Sequence, residues 1–511
     1  MAPLTTSQPP DSESTALKPV EKTYTIGTLR YNQRQLVVLF FWLMWNDFSI
    51  TLIERVGGLG GQLMRSTGAT FTQMAVMGSI GGFLSPWINP WVSTWSDRLR
   101  SKHGRRRPFL FVATPFFALF LMAFPFMPDV YHSLLRFHWM QALSTHFPMN
   151  GEALFMGVCG IISGYFNAVV LAIFQYLYWD VVPGSLMGRF NALGKNVGLI
   201  AILIWSFFIT PLADTHVKMV YVCTGGFCLA IYLLSTWKIK EGEYPPPDPH
   251  KKGGAAAPIR AYFVECFSQP YYLWIFFAML LYQLGNAGNG YVFYYTFYDL
   301  KLTWAIQGWV GGWGTLTSTI FGLLFGFYLG SMTDRVKPIR LIAPCWMGLA
   351  LFKVLWFFIV HDKTTMLICA CADGVIGFLP GLAFGALQVE IFPRAKIGQF
   401  CSAQAVFYQF ILIFISPLVG KFFDFGIRHQ GNAHFFINPL LTIPFPQLQF
   451  HRAGHGWFST QLEWLKVPGV QFQRVGYLWG ALFYFLAGLT YIKIYSDWKK
   501  RHGHVPVPHA G

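Results

Sequence analysis

Charged residues are scarce in this sequence. Only 12% of its 511 residues are Asp, Glu, Lys or Arg, against roughly 25% in ordinary soluble domains. By contrast, 54% of the residues are hydrophobic and the mean hydropathy is +0.42. A soluble protein of this length could not cover its surface with so few charges. The composition therefore excludes an ordinary soluble globular protein and indicates a chain whose solvent is mostly lipid.

Patterns typical of metal sites, disulfide frameworks and active sites are also missing. None of the eight cysteines forms a CxxC pair, so neither a zinc site nor a disulfide framework is predicted. A membrane enzyme would need clustered acids or a metal-ligating set on a loop. No such cluster is visible, and the histidines of residues 423–472 lack ligand spacing. We therefore expect no enzymatic activity, no metal and no cofactor.

Twelve long apolar runs organise the chain. A helix needs about 20 mostly apolar residues to cross the hydrocarbon of a membrane. The first six runs lie near 35–53, 70–92, 108–127, 153–178, 192–213 and 217–236. The last six lie near 271–296, 305–329, 340–360, 365–388, 399–422 and 475–494. The stretch between the two sets is rich in proline, glycine and charge, which is typical of a linker.

We therefore predict an all-α membrane protein with twelve transmembrane helices in two six-helix halves. The predicted divisions are an N-terminal tail (1–33), a six-helix bundle (34–236), a linker (237–262), a second six-helix bundle (263–496) that includes an outer loop (423–472), and a basic tail (497–511). The polar start of the chain shows no cleavable signal peptide. The outer loop is expected to be a folded surface loop, with a lid over the entrance as the alternative.

The distribution of Lys and Arg predicts the orientation. With both termini in the cytoplasm, the cytoplasmic segments hold 26 of these residues and the outer segments hold 10. Basic residues cross the translocation machinery reluctantly, so this bias indicates cytoplasmic termini. It also explains the net charge of +16 without the nucleic-acid partner that such a charge would suggest in a soluble protein. We expect a monomer in the plasma membrane, with the lipid bilayer as its surroundings.

An internal repeat supports the division into halves. The fourth and tenth runs end in similar segments, WDVVPGSLMGRFNA and VEIFPRAKIGQFCSA. Four residues of the first segment align with four of the second at an offset of 210, namely Asp180, Pro183, Gly188 and Phe190 with Glu390, Pro393, Gly398 and Phe400. Two repeated halves predict a substrate site at their interface, near the middle of the bilayer.

The connection between the second and third runs carries the sharpest motif, WSDRLRSKHGRRRPF (Trp95 to Phe109). A carboxylate and several guanidinium groups at helix ends can bridge neighbouring helices by charge-assisted hydrogen bonds. Such a set would hold one side of a transporter closed, whereas the alternative is simple anchoring by positive charge. We favour gating, because Asp97 is unnecessary for anchoring and recurs as Asp334. The candidate gating residues from both halves are Asp97, Arg98, Arg105, Arg106, Asp180, Arg189, Asp334, Arg335 and Glu390.

The Asp97-Arg98 step and the basic run after it are similar to the loop signature of the major facilitator superfamily. The form GRRRPF (Gly104 to Phe109) resembles the sucrose-transporter and glycoside–pentoside–hexuronide:cation symporter branch. The resemblance covers about the whole chain after residue 33. It implies the major facilitator fold, with helices 1, 4, 7 and 10 around a central cavity, and a sugar carried together with a proton or sodium ion.

The sequence departs from this branch in two places. Sodium-coupled members typically carry acids on the second helix, but residues 70–91 contain none, which favours protons. Proton-coupled sucrose carriers typically have an acid midway along the fourth helix, where this chain has Asn167. Coupling would then run through Asp47 in the first helix, or be absent. A carboxylate this deep in a membrane is costly unless it takes up a proton, pairs or meets water, and the alternative is a structural hydrogen bond.

Amide side chains on the seventh predicted helix suggest a substrate site. Gln283, Asn286 and Gly290 are spaced by three and four residues, so they share one face. Amides donate and accept hydrogen bonds, which suits a substrate rich in hydroxyl groups, whereas hydrogen bonding between helices is the alternative. The candidate substrate-binding residues of helices 4 and 7 are Asn167, Gln175, Gln283, Asn286, Asn289 and Tyr294.

Two charged residues lie in the second half of the predicted bundle. Asp373 lies in the outer half of the tenth helix, with Pro380 and Gly381 nearby to allow a bend. It is a candidate for gating or for substrate contact. Lys353 in the ninth helix is expected to extend outward to the membrane surface.

The sequence as a whole predicts a secondary transporter of a small hydrophilic solute, most simply a sugar or glycoside, moved with H⁺ by alternating access. The alternatives are a facilitator, a carrier of another solute such as a drug or amino acid, and a nutrient sensor with a transporter fold.

Overall fold

The computed structural model describes residues 24–26, 28–99, 101, 104–147, 149–183, 186–242, 264–392, 397–428 and 474–502. The helices of the first part are α1 (Gln33–Ser66), α2 (Phe71–Arg98), α3 (Arg107–Ala123), α4 (Met127–Leu134), α5 (His138–Ser144), α6 (Gly151–Val181), α7 (Met187–Ile204) and α8 (Ala213–Lys238). Those of the second part are α9 (Pro270–Tyr294), α10 (Trp304–Val336), α11 (Pro338–Ile359), α12 (Lys363–Ile376), α13 (Phe378–Ile391), α14 (Ile397–Arg428) and α15 (Val475–His502).

These helices provide twelve membrane spans. Among the described residues, nine helical segments are long and apolar enough to cross a membrane, and one of them, Arg189–Lys238, contains two predicted spans, which makes ten. The other two spans are α2 and α9, helices of 28 and 25 residues at the predicted apolar runs 70–92 and 271–296. The spans in chain order are α1, α2, α3, α6, α7 and α8, followed by α9, α10, α11, α12 with α13, α14 and α15. The predicted all-α fold with twelve spanning helices is confirmed.

Local capping explains where several helices begin. Asn32 accepts a hydrogen bond from the Gln35 backbone N–H at the start of α1. At the start of α2 the Thr70 side chain accepts the Gln73 N–H, and at the start of α12 the Asp362 side chain accepts the Thr365 N–H. Each cap satisfies an N–H group that has no partner inside the helix.

Successive spans run in alternating directions. We call the side of the bundle where α1 begins the terminal face, and the other side the opposite face. The end of α15 lies at the terminal face, because the Trp498 ring stacks against Lys337 at the start of α11, 4.9 Å from its Nζ. α2, α6, α8, α10, α12 and α15 therefore begin at the opposite face.

Each half is built around its own apolar core. In the first half, α3 packs against α6 and α8, and α1 packs against α7 and α8. Phe117, Phe174 and Tyr232 are buried there. In the second half, α15 packs against α9 and α11, and Tyr484 and Tyr491 are buried between them.

The halves meet along two lines of contact. α14 packs against α2, and α10 packs against α7 and its π-helical continuation, Trp205–Ile209. Glycine permits the close approach. A Cβ atom on Gly420 of α14 would lie 2.8 Å from the Phe71 carbonyl oxygen, and one on Gly312 of α10 would lie 2.7 Å from the Phe207 ring. Phe71 is the first residue of α2, so the halves touch closely at the opposite face.

The two halves repeat the same local contacts. Phe190 at the start of α7 is buried, with its ring centre 5.3 Å from that of Phe40 in α1. Its repeat partner Phe400, at the start of α14, is also buried and lies 4.5 Å from Tyr272 in α9. The residues paired by the sequence repeat therefore occupy equivalent positions in the two halves.

The tenth span is broken one turn earlier than expected. We predicted a bend at Pro380 and Gly381, but the helix is interrupted at Gly377, between α12 and α13. Proline has no N–H group and therefore removes the hydrogen bond to the carbonyl four residues before it. For Pro380 that carbonyl belongs to Ile376, the last residue of α12.

Two segments that were predicted as tail and as outer loop contain regular structure. Part of the predicted tail forms an antiparallel hairpin, β1 (Tyr24–Ile26) with β2 (Leu29–Tyr31). Leu29 and Tyr31 pack against the core of the first half, which explains why a segment rich in strand-forming residues is ordered there. α14 extends to Arg428, six residues into the predicted outer loop, and the rest of that loop lies outside the described residues.

Candidate functional site

Asp47 lies where three helices of the first half meet. It is fourteen residues after the start of α1, or about 21 Å along the axis. The Tyr178 hydroxyl of α6 donates a hydrogen bond to Asp47 Oδ1 at 3.3 Å. On α7, a Cβ atom at Gly194 would lie 2.5 Å from Asp47 Oδ2. The carboxylate is therefore held between a phenol on one side and the bare backbone of α7 on the other.

The neighbouring residues fix this part of α1 in place. Asn46 is fully buried, and the Ser235 hydroxyl of α8 donates to its Oδ1 at 2.7 Å. One turn further along, Thr51 faces Gly198 of α7, where a Cβ atom would lie 3.2 Å from the Thr51 hydroxyl oxygen. α6, α7 and α8 thus all contact α1 within two turns of Asp47.

The Asp47 side of α1 leads to the other half of the protein. Asp47, Thr51, Glu54 and Gly61 recur at helical spacing, so they lie along one stripe of α1. Glu54 is exposed. At Gly61 the helix meets α9, because a Cβ atom there would lie 2.6 Å from the Tyr294 hydroxyl oxygen. This stripe therefore runs toward the space between the halves.

The α6 candidates lie on neighbouring faces of that helix. On one side of Gln175 around the helix lies Tyr178, which contacts α1. On the other side lies Ile161, whose side chain faces Gly81 of α2. Gln175 itself is exposed. Asn167 is partly buried, and its Oδ1 has no hydrogen-bond partner among the residues that the structure describes. Both residues thus present amide groups on the α1 side of the helix.

On α9, one stripe faces the space between the halves. A cavity of about 230 Å³ lies between α2, α9 and α14. Its α9 wall contains Ala287, Gly290 and Tyr294, and Gln283 continues the same stripe one turn toward the terminal face. The other lining residues are Phe71, Met74, Ala75, Tyr291, Ser416 and Val419.

Two other amides of α9 are engaged with α15. The Tyr484 hydroxyl donates to Asn286 Oδ1 at 2.6 Å, and Asn289 Nδ2 donates to the Tyr484 oxygen at 3.3 Å. These are the hydrogen bonds between helices that the sequence left open as the alternative. Asn286 also accepts from Asn289 and donates to Gln283, at 3.5 and 3.4 Å. The amides form one connected chain rather than separate groups.

The expectation for Lys353 is wrong. Its side chain is buried and does not extend to the surface, with Nζ 3.7 Å from Asp373 Oδ1 and 4.3 Å from the centre of the Trp356 ring. Burial of an ammonium group is tolerated when a carboxylate and an aromatic face surround it. The Asp373 side chain is 46% exposed, so the ion pair consists of a buried lysine and a partly exposed carboxylate.

At the terminal face, Asp180 binds two arginines of the GRRRPF motif. Arg105 Nη2 lies 2.7 Å from Asp180 Oδ1, and Arg106 Nε lies 3.2 Å from Asp180 Oδ2. Arg106 also donates to the Ser96 hydroxyl and stacks on the Tyr176 ring. Asp180 is therefore paired with the arginines before α3, and the gating candidate Arg189 is exposed.

Sequence reasoning missed the carboxylate that completes this cluster. Glu241, three residues after α8, accepts the backbone N–H groups of Arg105, Arg106 and Arg107 at 2.8, 3.0 and 2.8 Å. Gly104 makes room for it, since φ is +98° and a Cβ atom there would lie 2.6 Å from the Glu241 carboxyl carbon. The glycine of GRRRPF was a visible signal, but nothing in the sequence indicated its partner.

The remaining gating candidates are only partly described. Glu390 Oε2 accepts the Ile339 backbone N–H at 3.4 Å at the start of α11. This is the position equivalent to Asp180 beside α3. Arg335 is exposed. The side chains of Asp97, Arg98 and Asp334 lie outside the described part of the chain.

The geometry gathers polar groups in two regions. One lies within the spans and consists of Asp47, held by Tyr178 and Gly194, and the linked amides of α9. The other is the charged cluster at the terminal face. Among the described residues, His, Cys, Asp and Glu do not gather in groups of three or more. Such an arrangement can bind a polar solute at mid-depth, and it can hold helices together at one surface.

Comparison with known proteins agrees with this architecture. The sequence pattern of the Major Facilitator Superfamily matches residues 35–417. The chain therefore belongs to the Major Facilitator Superfamily, a family of membrane transporters, and is an integral membrane protein. No curated protein matches the sequence significantly.

Solved transporter structures share the fold at low sequence identity. A bacterial homologue of the human lysosomal transporter Spinster, inward-facing and unoccupied, is 12% identical with a TM-score of 0.56, over 90% of this chain and 97% of that one. A D-xylose–proton symporter is 13% identical with a TM-score of 0.54, over 90% and 96%. The nucleoside transporter NupG is 12% identical with a TM-score of 0.53, over 89% and 99%. Identities this low show the fold alone.

Proposed function

We propose that the protein is a secondary active transporter of a small hydrophilic solute, most simply a sugar or glycoside, coupled to protons by alternating access. One observation carries this proposal. The Asp47 carboxylate lies midway along a spanning helix, beside a phenol hydroxyl, on the stripe that faces the other half. Ionisable groups at such depth usually belong to a transport pathway.

The polar groups around the space between the halves suit a polyhydroxylated solute. Gln175 of the first half is exposed and Gln283 of the second half continues the α9 stripe that lines the cavity, and amides offer donors and acceptors together. The predicted substrate-binding set is Asn167, Gln175, Gln283, Asn286, Asn289 and Tyr294. The resemblance of GRRRPF to the sucrose-transporter branch supports a sugar, and one structural relative is a D-xylose–proton symporter.

Proton coupling follows from the cost of burying charge. A carboxylate leaving water is stabilised by taking up a proton when no cation is close enough to pair with it. The hydrogen-bond partner of Asp47 is the neutral Tyr178 hydroxyl, so Asp47 can exist as a neutral acid in a closed cavity. A solute that binds differently to the two open states would then shift the equilibrium between them.

The terminal-face cluster is proposed to be a rigid part of the inner gate, because its ion pairs and hydrogen bonds join α3, α6 and the end of α8 within the first half. We propose that both termini are cytoplasmic, in the plasma membrane, with the domain divisions predicted above. With that orientation, closure at the opposite face makes this structure inward-facing. Asp180, Glu241 and the arginines before α3 then lie at the cytoplasmic ends of α3, α6 and α8, where they would move as one unit when the cavity opens or closes.

The test separates coupling from structure at Asp47. In proteoliposomes, a panel of radiolabelled sugars identifies a substrate, and Asp47→Asn is then assayed for two fluxes. We expect uptake driven by an inward proton gradient to be lost, while exchange at equal pH survives, because exchange needs no net proton release. Glu54→Gln, on the same stripe but exposed, should keep both fluxes.

Two results would contradict the coupling proposal. If both fluxes fall together and less Asp47→Asn protein reaches the membrane, the residue is structural. If gradient-driven uptake persists in full, Asp47 does not carry the proton and a facilitator becomes the better description. The absence of flux for every sugar would reject the substrate class.

A further inference from the structure

A carboxylate of the second half caps a helix of the first half. Asp424, near the end of α14, is buried. It accepts the backbone N–H of Phe71 at 2.9 Å and that of Thr72 at 2.7 Å, and the Thr72 hydroxyl at 2.6 Å. Phe71 and Thr72 are the first two residues of α2. The start of α2 is therefore bound across the interface between the halves.

The reverse arrangement occurs on the other side of the interface. Asp214, the second residue of α8, accepts the backbone N–H groups of Trp304 and Ala305 at 2.7 and 3.0 Å. Those are the first two residues of α10. Here a carboxylate of the first half caps a helix of the second half.

The two caps are related by the internal repeat. Asp214 and Asp424 are separated by 210 positions, the same offset that aligns Asp180 with Glu390. The capped helices match as well, because α2 and α10 each begin with a threonine cap of their own, Thr70 and Thr303.

Neither aspartate is needed merely to start its helix. The threonine caps already accept the N–H of the third helical residue. Each aspartate accepts the N–H groups of the first and second helical residues. A negative charge at a helix N-terminus is stabilised by the free N–H groups and by the helix dipole. Both aspartate caps join one half to the other at the opposite face.

We propose that Asp214 and Asp424 are paired latches that hold the opposite face closed, and that both must leave their helix starts when this face opens. The inference rests on the alternating-access cycle proposed above, but not on the substrate or the coupling ion. α2 and α10 are lines of contact between the halves, so separation of the halves at this face must break the two caps.

Cysteine accessibility tests the latches without any substrate. In a variant that lacks the eight native cysteines, Gly290→Cys places a thiol in the cavity between α2, α9 and α14, where a Cβ atom meets nothing within 4 Å. A membrane-impermeant maleimide is applied from the opposite face of sealed vesicles. Asp214→Asn and Asp424→Asn should each raise the labelling rate about five-fold, and the double variant should raise it further.

A matched control distinguishes a latch from an ordinary cap. Asp362 lies at the same face and caps α12 within its own half, accepting the Thr365 N–H at 2.7 Å, so Asp362→Asn should leave the rate unchanged. Unchanged rates in both test variants, or an equal rise in the control, would overturn the proposal. If Asp424→Asn fails to reach the membrane, Thr72→Val removes one bond to the same carboxylate, and no rise in that variant also counts against the latch. Because labelling needs no solute or gradient, failure to transport sugars leaves this test valid.

Discussion

The packing of Gly194 against Asp47 allows a sharp test of how the carboxylate is positioned. In Gly194→Ala, the new Cβ atom would lie 2.5 Å from Asp47 Oδ2. Carbon and oxygen atoms in ordinary contact are about 3.4 Å apart or more. The carboxylate must therefore move by roughly 1 Å, because the other side of the contact is the backbone of α7.

That displacement decides the bond to Tyr178. The bond is already long at 3.3 Å, compared with about 2.5–3.0 Å for typical O–H···O bonds. If the carboxylate moves away from α7 by ~1 Å, its hydrogen bond with the Tyr178 hydroxyl is either broken or shortened into a strained contact. Loss of one hydrogen bond costs about 0.5–1.5 kcal/mol. We expect gradient-driven uptake to fall about two- to ten-fold, with less change in exchange at equal pH.

Gly198→Ala is the matched control, one turn further along the same face of α7. Its Cβ atom would lie 3.2 Å from the Thr51 hydroxyl oxygen, and that side chain can adjust by a few tenths of an ångström. Both variants are compared in one set of proteoliposomes, normalised to inserted protein. Normal gradient-driven uptake in Gly194→Ala, or an equal loss in Gly198→Ala, would refute the positioning argument.

Two other predictions concern the terminal face and α9. Glu241→Ala removes the acceptor of three backbone N–H groups, so it should lower the melting temperature in detergent and slow transport. Glu241→Gln keeps one acceptor oxygen and should have a smaller effect. Normal stability and transport in Glu241→Ala would deny the cap any role. Gln283→Leu should weaken apparent substrate affinity several-fold, or about 1 kcal/mol, with normal thermal stability. Asn286→Leu should lower stability as well, because it leaves the Tyr484 hydroxyl without its 2.6 Å acceptor, and unchanged affinity in both leucine variants would move the substrate site elsewhere.

Much of the architecture could be predicted from the sequence, because the bilayer imposes it. Twelve apolar runs gave twelve spans, and the aligned residues Phe190 and Phe400 proved equivalent in space. The prediction for the tenth span was less accurate, because its helix breaks at Gly377 rather than at Pro380. A proline affects the carbonyl one turn before it, so the break lies upstream of the residue that causes it.

The site was predicted less completely, since partners depend on how helices are rotated against one another. The depth of Asp47 and the polarity of α9 were visible in the sequence. That Tyr178 and Gly194 enclose Asp47, or that Asn286 turns to Tyr484, was not. Lys353 was predicted at the surface because its depth allowed it to reach there, but its side of α11 faces Asp373.

The sequence by itself therefore determined the number of spans, the two repeated halves and the types of residue that lie at mid-membrane depth. These properties follow from local composition, because every stretch of about 20 residues in lipid must be apolar and helical. Only the tertiary structure decided the pairings. Asp424 meets Phe71, Asp214 meets Trp304, and Glu241 meets the start of α3. In each pair the two residues are far apart along the chain, and their contact arises from the packing of helices, which hydropathy and local spacing do not encode.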